Sequence, residues 1–81
     1  MLHIYGSKLC PDCVKCVEDL TAAGVEFTYH DFAEELKALK IFLGLRESEA
    51  VFTPVREAGK IGIPCIVTEE GTVTLSWDEF M

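Results

Sequence analysis

Basic residues are scarce in this chain. Seven Lys and Arg stand against 14 Asp and Glu among 81 residues, a formal net charge of −7. Affinity for nucleic acid comes mainly from cations that neutralise phosphates, so this balance disfavours nucleic acid and anionic membrane as partners. Long apolar runs are also missing: nothing approaches the roughly 18 consecutive apolar residues of a membrane span. The opening MLHIYGSKLCPDC has no basic segment leading into a long apolar one, so neither a membrane span nor a signal peptide is expected and the location is expected to be cytoplasmic. Repeats, low-complexity stretches and linkers are absent. The two histidines, His3 and His30, have no metal-ligand spacing and read as structural or surface residues. Glu34, Glu35, Glu47, Glu49, Glu69 and Glu70 suit solvated helix faces and turns, and none pairs with a second carboxylate in an acid–base arrangement.

What remains is 49% hydrophobic, 26% charged and 10% aromatic, the composition of one compact domain over residues 1–81. A chain of this size buries only about 60% of its unfolded surface. Its core is therefore expected to be a sheet with two or three covering helices, without a large substrate cavity. Leu2 to Gly6 reads as a strand ending at glycine. Cys10 reads as the N-cap of a helix from Pro11 to about Ala23, with Val14, Val17 and Leu20 as its apolar stripe and Gly24 as its end. Val25 to Phe32 alternates as a second strand, and a parallel strand–helix–strand unit is the default topology. Leu36, Leu39 and Leu43 mark a second helix over Ala33 to Leu43, closed by Gly44. Leu45 to Lys60 is less regular, with a helical turn before Pro54. A strand near Pro64 to Thr68, a turn at Glu69 to Thr72 and a strand at Val73 to Trp77 form a hairpin. The expected class is α/β, in the order β-α-β-α-β-β.

Four cysteines are present, and Cys10, Cys13 and Cys16 crowd into seven positions with Cys65 far downstream. Small secreted domains spread cysteines to staple loops, whereas C-x-x-C spacing in a cytosolic chain points to redox chemistry or a metal. A cysteine at a helix N-terminus faces unpaired N–H groups and the positive end of the helix dipole, which favours thiolate chemistry. Lys8 adds to that field and Asp12 opposes it. Cys13 lies one turn further on, placed to attack a mixed disulfide at Cys10 and release the reduced partner. Cys16, near Leu20 on the helix wheel, reads as a half-buried small apolar residue, and Cys65 as core. The alternative from another class is a metal or iron–sulfur module using Cys10, Cys13, Cys16 and Cys65. Three ligands on one regular helix rotate around it and converge only if it unwinds.

Tyr5-Gly6-Ser7-Lys8-Leu9-Cys10-Pro11-Asp12-Cys13 opening a helix after the first strand, with Ile63-Pro64 ahead of a hairpin, resembles the glutaredoxin family of the thioredoxin-fold superfamily over about residues 1–76. The resemblance implies a mixed four-stranded sheet and thiol–disulfide exchange serving cell redox homeostasis and electron transport, with Cys10 and Cys13 catalytic. It further implies a cis Ile63–Pro64 bond beside Cys10 and a substrate site drawn from Lys8, Pro11, Ile63 and Pro64. Substrates would be a disulfide-containing protein or a glutathione mixed disulfide. No tightly bound cofactor is implied, and glutathione would be a co-substrate. Asp12 stands where the family usually carries an aromatic residue, and Lys8 is one position closer to the first cysteine than the usual basic residue. The family's Gly-Gly-acidic segment has no counterpart in Leu75 to Met81, where the final helix is expected to be short or missing. The electron donor stays open between glutathione and another reductant.

Overall fold

A computed structural model describes residues 1–81. Strand β1 (Leu2–Gly6) lies inside a four-stranded mixed sheet of order β2-β1-β3-β4. It pairs in parallel with β2 (Phe27–Asp31) and antiparallel with β3 (Cys65–Val67), which pairs antiparallel with β4 (Val73–Thr74). Helix α1 (Pro11–Ala22) connects β1 to β2, and α2 (Leu36–Ser48), a 3₁₀ turn (Ala50–Phe52) and α3 (Thr53–Glu57) lead to β3. The class is α/β, with three helices. No helix is long and apolar enough to cross a membrane.

Strand alternation divides the core in two. On one face, paired residues Ile4 and Ile66 pack with Cys16 and Leu20 of α1. On the other, paired residues Tyr5 and Cys65 pack with Ala38 and Phe42 of α2 and with Phe52. The Phe42 and Phe52 rings meet edge to face at 5.8 Å, a favoured aromatic geometry.

Several boundaries differ from the sequence expectation. The buried stripe of α1 is Cys13, Cys16 and Leu20, while Val14 is exposed. The cysteines thus supply the apolar face themselves, and Cys16 is fully buried rather than half-buried. The second strand is shorter than Val25 to Phe32. Helix α2 starts later and runs straight through Gly44. Its buried face is Ala38 and Phe42, leaving Leu36 and Leu43 exposed. Downstream contacts hold the extra turn: Leu45 packs against the Phe42 cluster, and the Arg46 guanidinium donates to the carbonyls of Ile61 and Lys60. A side chain that anchors its own turn outweighs the roughly 1 kcal/mol cost of an interior glycine.

The last strand ends at Thr74, short of Trp77. The last segment, Trp77–Phe80, forms a 3₁₀ turn. It sets Trp77 and Phe80 against the Ile4 cluster, and the Trp77 indole N–H donates to Asp19 Oδ2 at 3.0 Å. That hydrogen bond, followed by one from Lys15, holds the Asp19 carboxyl below its ordinary range.

Candidate functional site

The loop from β1 to α1 is fixed mainly by its backbone. Cys10 N–H donates to the Ser7 carbonyl (3.0 Å) and Leu9 N–H to Ser7 Oγ (3.1 Å). Lys8 N–H donates to Asp31 Oδ2 (3.2 Å), while Ala33 N–H donates to Asp31 Oδ1 (2.8 Å). The Asp31 carboxylate, on a residue only 5% exposed, thus ties the cysteine loop to the turn after β2. Its cost of burial is offset because both oxygens accept hydrogen bonds.

Cys10 is the N-cap, with extended backbone angles, and its carbonyl accepts Val14 N–H at 3.1 Å to start the helix. The residue is half-buried, and Pro11 beside it is exposed. Cys13 lies one turn in and is fully buried. Burial pushes its thiol up to about 12, and Cys10 alongside adds to the rise. The Ser7 backbone and the Tyr29 hydroxyl act the other way. The remaining two thiols are raised as well, Cys16 to about 11 by burial and then Asp19, Cys65 to about 12 by burial and then Glu49. All four cysteines are free.

Two grooves flank the N-terminus of α1. One brings Cys10 and Asp12 together with Lys60, Ile61, Gly62 and Ile63. The Ile63–Pro64 peptide is cis, and Pro64 is buried at the head of β3. Because Tyr5 pairs with Cys65, continuing the register sets Pro64 across from Gly6, at the end of β1 from which the cysteine loop departs. Leu9 and Ile61 are 91% and 62% exposed, so apolar side chains stand close to the half-buried cysteine. The second groove runs past Lys8, Cys13, Val14, Tyr29 and Glu34. Lys8 pairs with Glu34 at 3.6 Å and does not line the groove that holds Cys10 and Ile63.

Cys16 and Cys65 belong to clusters on opposite faces of the sheet, so the four-thiolate set is not assembled. No group of three or more His, Cys, Asp or Glu side chains is arranged to hold a metal ion.

Three features escaped the sequence reading. Gly6 is a close-approach position: a Cβ there would sit 2.6 Å from Cys13 Sγ and 3.2 Å from Tyr29 Oη. Asp31 carries no motif that marks it as a loop anchor. His3 and His30 meet across adjacent strands, with His30 Nε2 3.0 Å from His3 Nδ1 and His30 Nδ1 2.7 Å from Glu35 Oε2. The Tyr5 ring lies parallel to His30 at 4.8 Å. The parallel register, pairing Tyr5 with His30, was the signal that could have brought them together.

No family model matches the sequence, and no solved structure matches the chain. An uncharacterized protein of Haemophilus influenzae is 32% identical over 72 residues, spanning 89% of this chain and 84% of that protein. The chain belongs to one family with it.

Proposed function

We propose that this protein is a glutaredoxin-like thiol–disulfide oxidoreductase with a thioredoxin-like arrangement of its α/β elements. The observation that carries the reading is the pairing of a half-buried Cys10 at the N-cap of α1 with a fully buried Cys13 one turn further on. Cys10 attacks a substrate disulfide, and the outer sulfur departs as a thiolate. Cys13 then attacks the Cys10 sulfur of the mixed disulfide. The Cys10–Cys13 bond forms, the substrate leaves as its second thiol, and an external dithiol or two glutathione molecules restore the reduced pair.

The groove joining Cys10 to Ile63 is open on the protein surface and suits an extended peptide carrying a disulfide. Its exposed Ile61 favours an apolar flanking segment. Glutathione, as a mixed disulfide or as the reductant, is a co-substrate rather than a resident cofactor. Lys8, already paired with Glu34 in the other groove, would have to leave that carboxylate to reach a glutathione molecule at Cys10. A cytoplasmic location accords with a dithiol that must be kept reduced.

Insulin reduction by dithiothreitol, followed by turbidity, and reduction of a glutathione mixed disulfide test the reading together. The wild type is expected to accelerate at least one of them, and Cys10→Ser to abolish the effect. Absence of both activities in the wild type, or their survival in Cys10→Ser, would refute it.

A further inference from the structure

We propose that the Tyr29 hydroxyl is the hydrogen-bond donor that makes the buried Cys13 sulfur competent to resolve the mixed disulfide, a role that rests on the oxidoreductase reading above. Tyr29 lies in β2 opposite Ile4, with its ring against the Ile4, Cys16 and Leu20 cluster. Phe27, two residues earlier, packs on the same cluster without a hydroxyl, so packing alone does not call for a tyrosine. The hydroxyl converges with the thiol over Gly6, since one added methyl there would touch Cys13 Sγ and Tyr29 Oη together. A side chain at residue 6 would fill that space. The bare glycine leaves the space between sulfur and oxygen open.

Burial, followed by the neighbouring Cys13, raises the Tyr29 phenol above its ordinary range. The hydroxyl therefore stays protonated at neutral pH and can only donate to a sulfur anion. Lys8, Glu18 and Glu34 line the groove outside it, and Asp31 follows two residues later in the strand. In the resolving step the Cys13 thiolate supplies the electron pair of the new Cys10–Cys13 bond. The bond from Cys10 to the departing sulfur breaks with its pair on that sulfur, and the proton that Cys13 gave up ends there. Tyr29 holds the Cys13 anion while it forms and is unchanged afterwards.

A hydrogen bond to a charged group moves an acid by about one to two pH units. Roughly half of the gain in thiolate is given back, because a less basic sulfur is a weaker nucleophile. Losing the hydroxyl should therefore slow resolution about three- to tenfold. The test is Tyr29→Phe, with Cys10 glutathionylated by glutathione disulfide, acid-quenched at intervals and read by mass spectrometry from pH 7 to pH 9.

The expected result is a constant rate deficit across that range, with the Cys10–Cys13 equilibrium against glutathione unchanged at pH 7, where the Cys13 sulfur is a thiol with or without the hydroxyl. A displaced Cys13 would instead alter rate and equilibrium together, because both depend on how close the two sulfurs lie. Should Tyr29→Phe fail to fold, wild-type sequence containing 3-fluorotyrosine, whose hydroxyl is a stronger donor, should resolve faster than the unlabelled protein. Equal rates, or a shifted equilibrium, would overturn the proposal. A wild type that never joins Cys10 to Cys13 would overturn the parent reading and this role with it.

Discussion

Replacing Gly6 with alanine puts a methyl group 2.6 Å from Cys13 Sγ, about 1 Å inside an ordinary contact of about 3.5–4.0 Å. The Cys13 side chain is short, fully buried and fixed to α1, so the clash is relieved only by moving helix against strand. Overpacking of this kind costs about 1–3 kcal/mol. The alanine also recovers about 0.4–1 kcal/mol by restricting the unfolded chain. The net loss should be about 1–2 kcal/mol, which for a domain of this size lowers Tm by roughly 5–15 °C. Thermal and urea unfolding of Gly6→Ala measure it directly. The decisive control repeats the substitution in a Cys13→Ala background, where the sulfur is gone and only Tyr29 Oη, at 3.2 Å, remains close. The penalty should then largely vanish, giving a coupling of about 1–2 kcal/mol between the two sites. An unchanged Tm in Gly6→Ala, or a penalty that persists undiminished without the sulfur, would refute the close-approach argument.

Gly44 makes the opposite case. It lies inside α2 without positive φ and has nothing within 4 Å of an added Cβ, so Gly44→Ala should stabilise by about 0.5–1 kcal/mol in urea unfolding. Asp31→Ala leaves the Lys8 and Ala33 N–H groups without their acceptor and should cost about 2–3 kcal/mol. Asp31→Asn, which keeps one acceptor oxygen, should cost about half as much, and amide exchange at both residues should quicken in the alanine variant. Alkaline pH should destabilise the fold. The Cys16 thiol is raised to about 11 and those of Cys13 and Cys65 to about 12, from 9.0, so the folded state keeps protons that the unfolded chain releases. Their contribution is intact below about pH 9 and declines as pH climbs towards 11–12. Tm measured from pH 8 to pH 11 should fall, and less steeply in Cys16→Ala.

Locally encoded features were the most legible in the sequence. A glycine ending β1, a proline in the first turn of α1 and cysteines three apart act over a few residues, and the strand–loop–helix that carries them formed where the sequence placed it. The hairpin near the end was legible for the same reason, although β4 stops early because Trp77 turns away to cover the Ile4 cluster. The sequence misleads where distant contacts outweigh local preference. Gly44 reads as a helix end, but Leu45 and Arg46 have partners downstream that extend α2. The glutaredoxin resemblance implies Lys8 as a substrate ligand, and in the fold its side chain pairs with Glu34 in the groove past Cys13 and Tyr29. Tyr29 and Asp31 carry no motif, since their relation to Cys13 and to the Lys8 backbone exists only once β2 lies beside β1. The two histidines were likewise separable on paper and joined only by strand register.

The most direct test of the central claim is disulfide mapping of the native protein equilibrated over a range of reduced-to-oxidised glutathione ratios, with free thiols alkylated and peptides read by mass spectrometry. One reversible disulfide is expected, Cys10 to Cys13, formed at a single midpoint, with Cys16 and Cys65 alkylated only after unfolding. Failure of Cys10 and Cys13 to pair at any ratio, or a disulfide that recruits Cys16 or Cys65 in the folded protein, would contradict it.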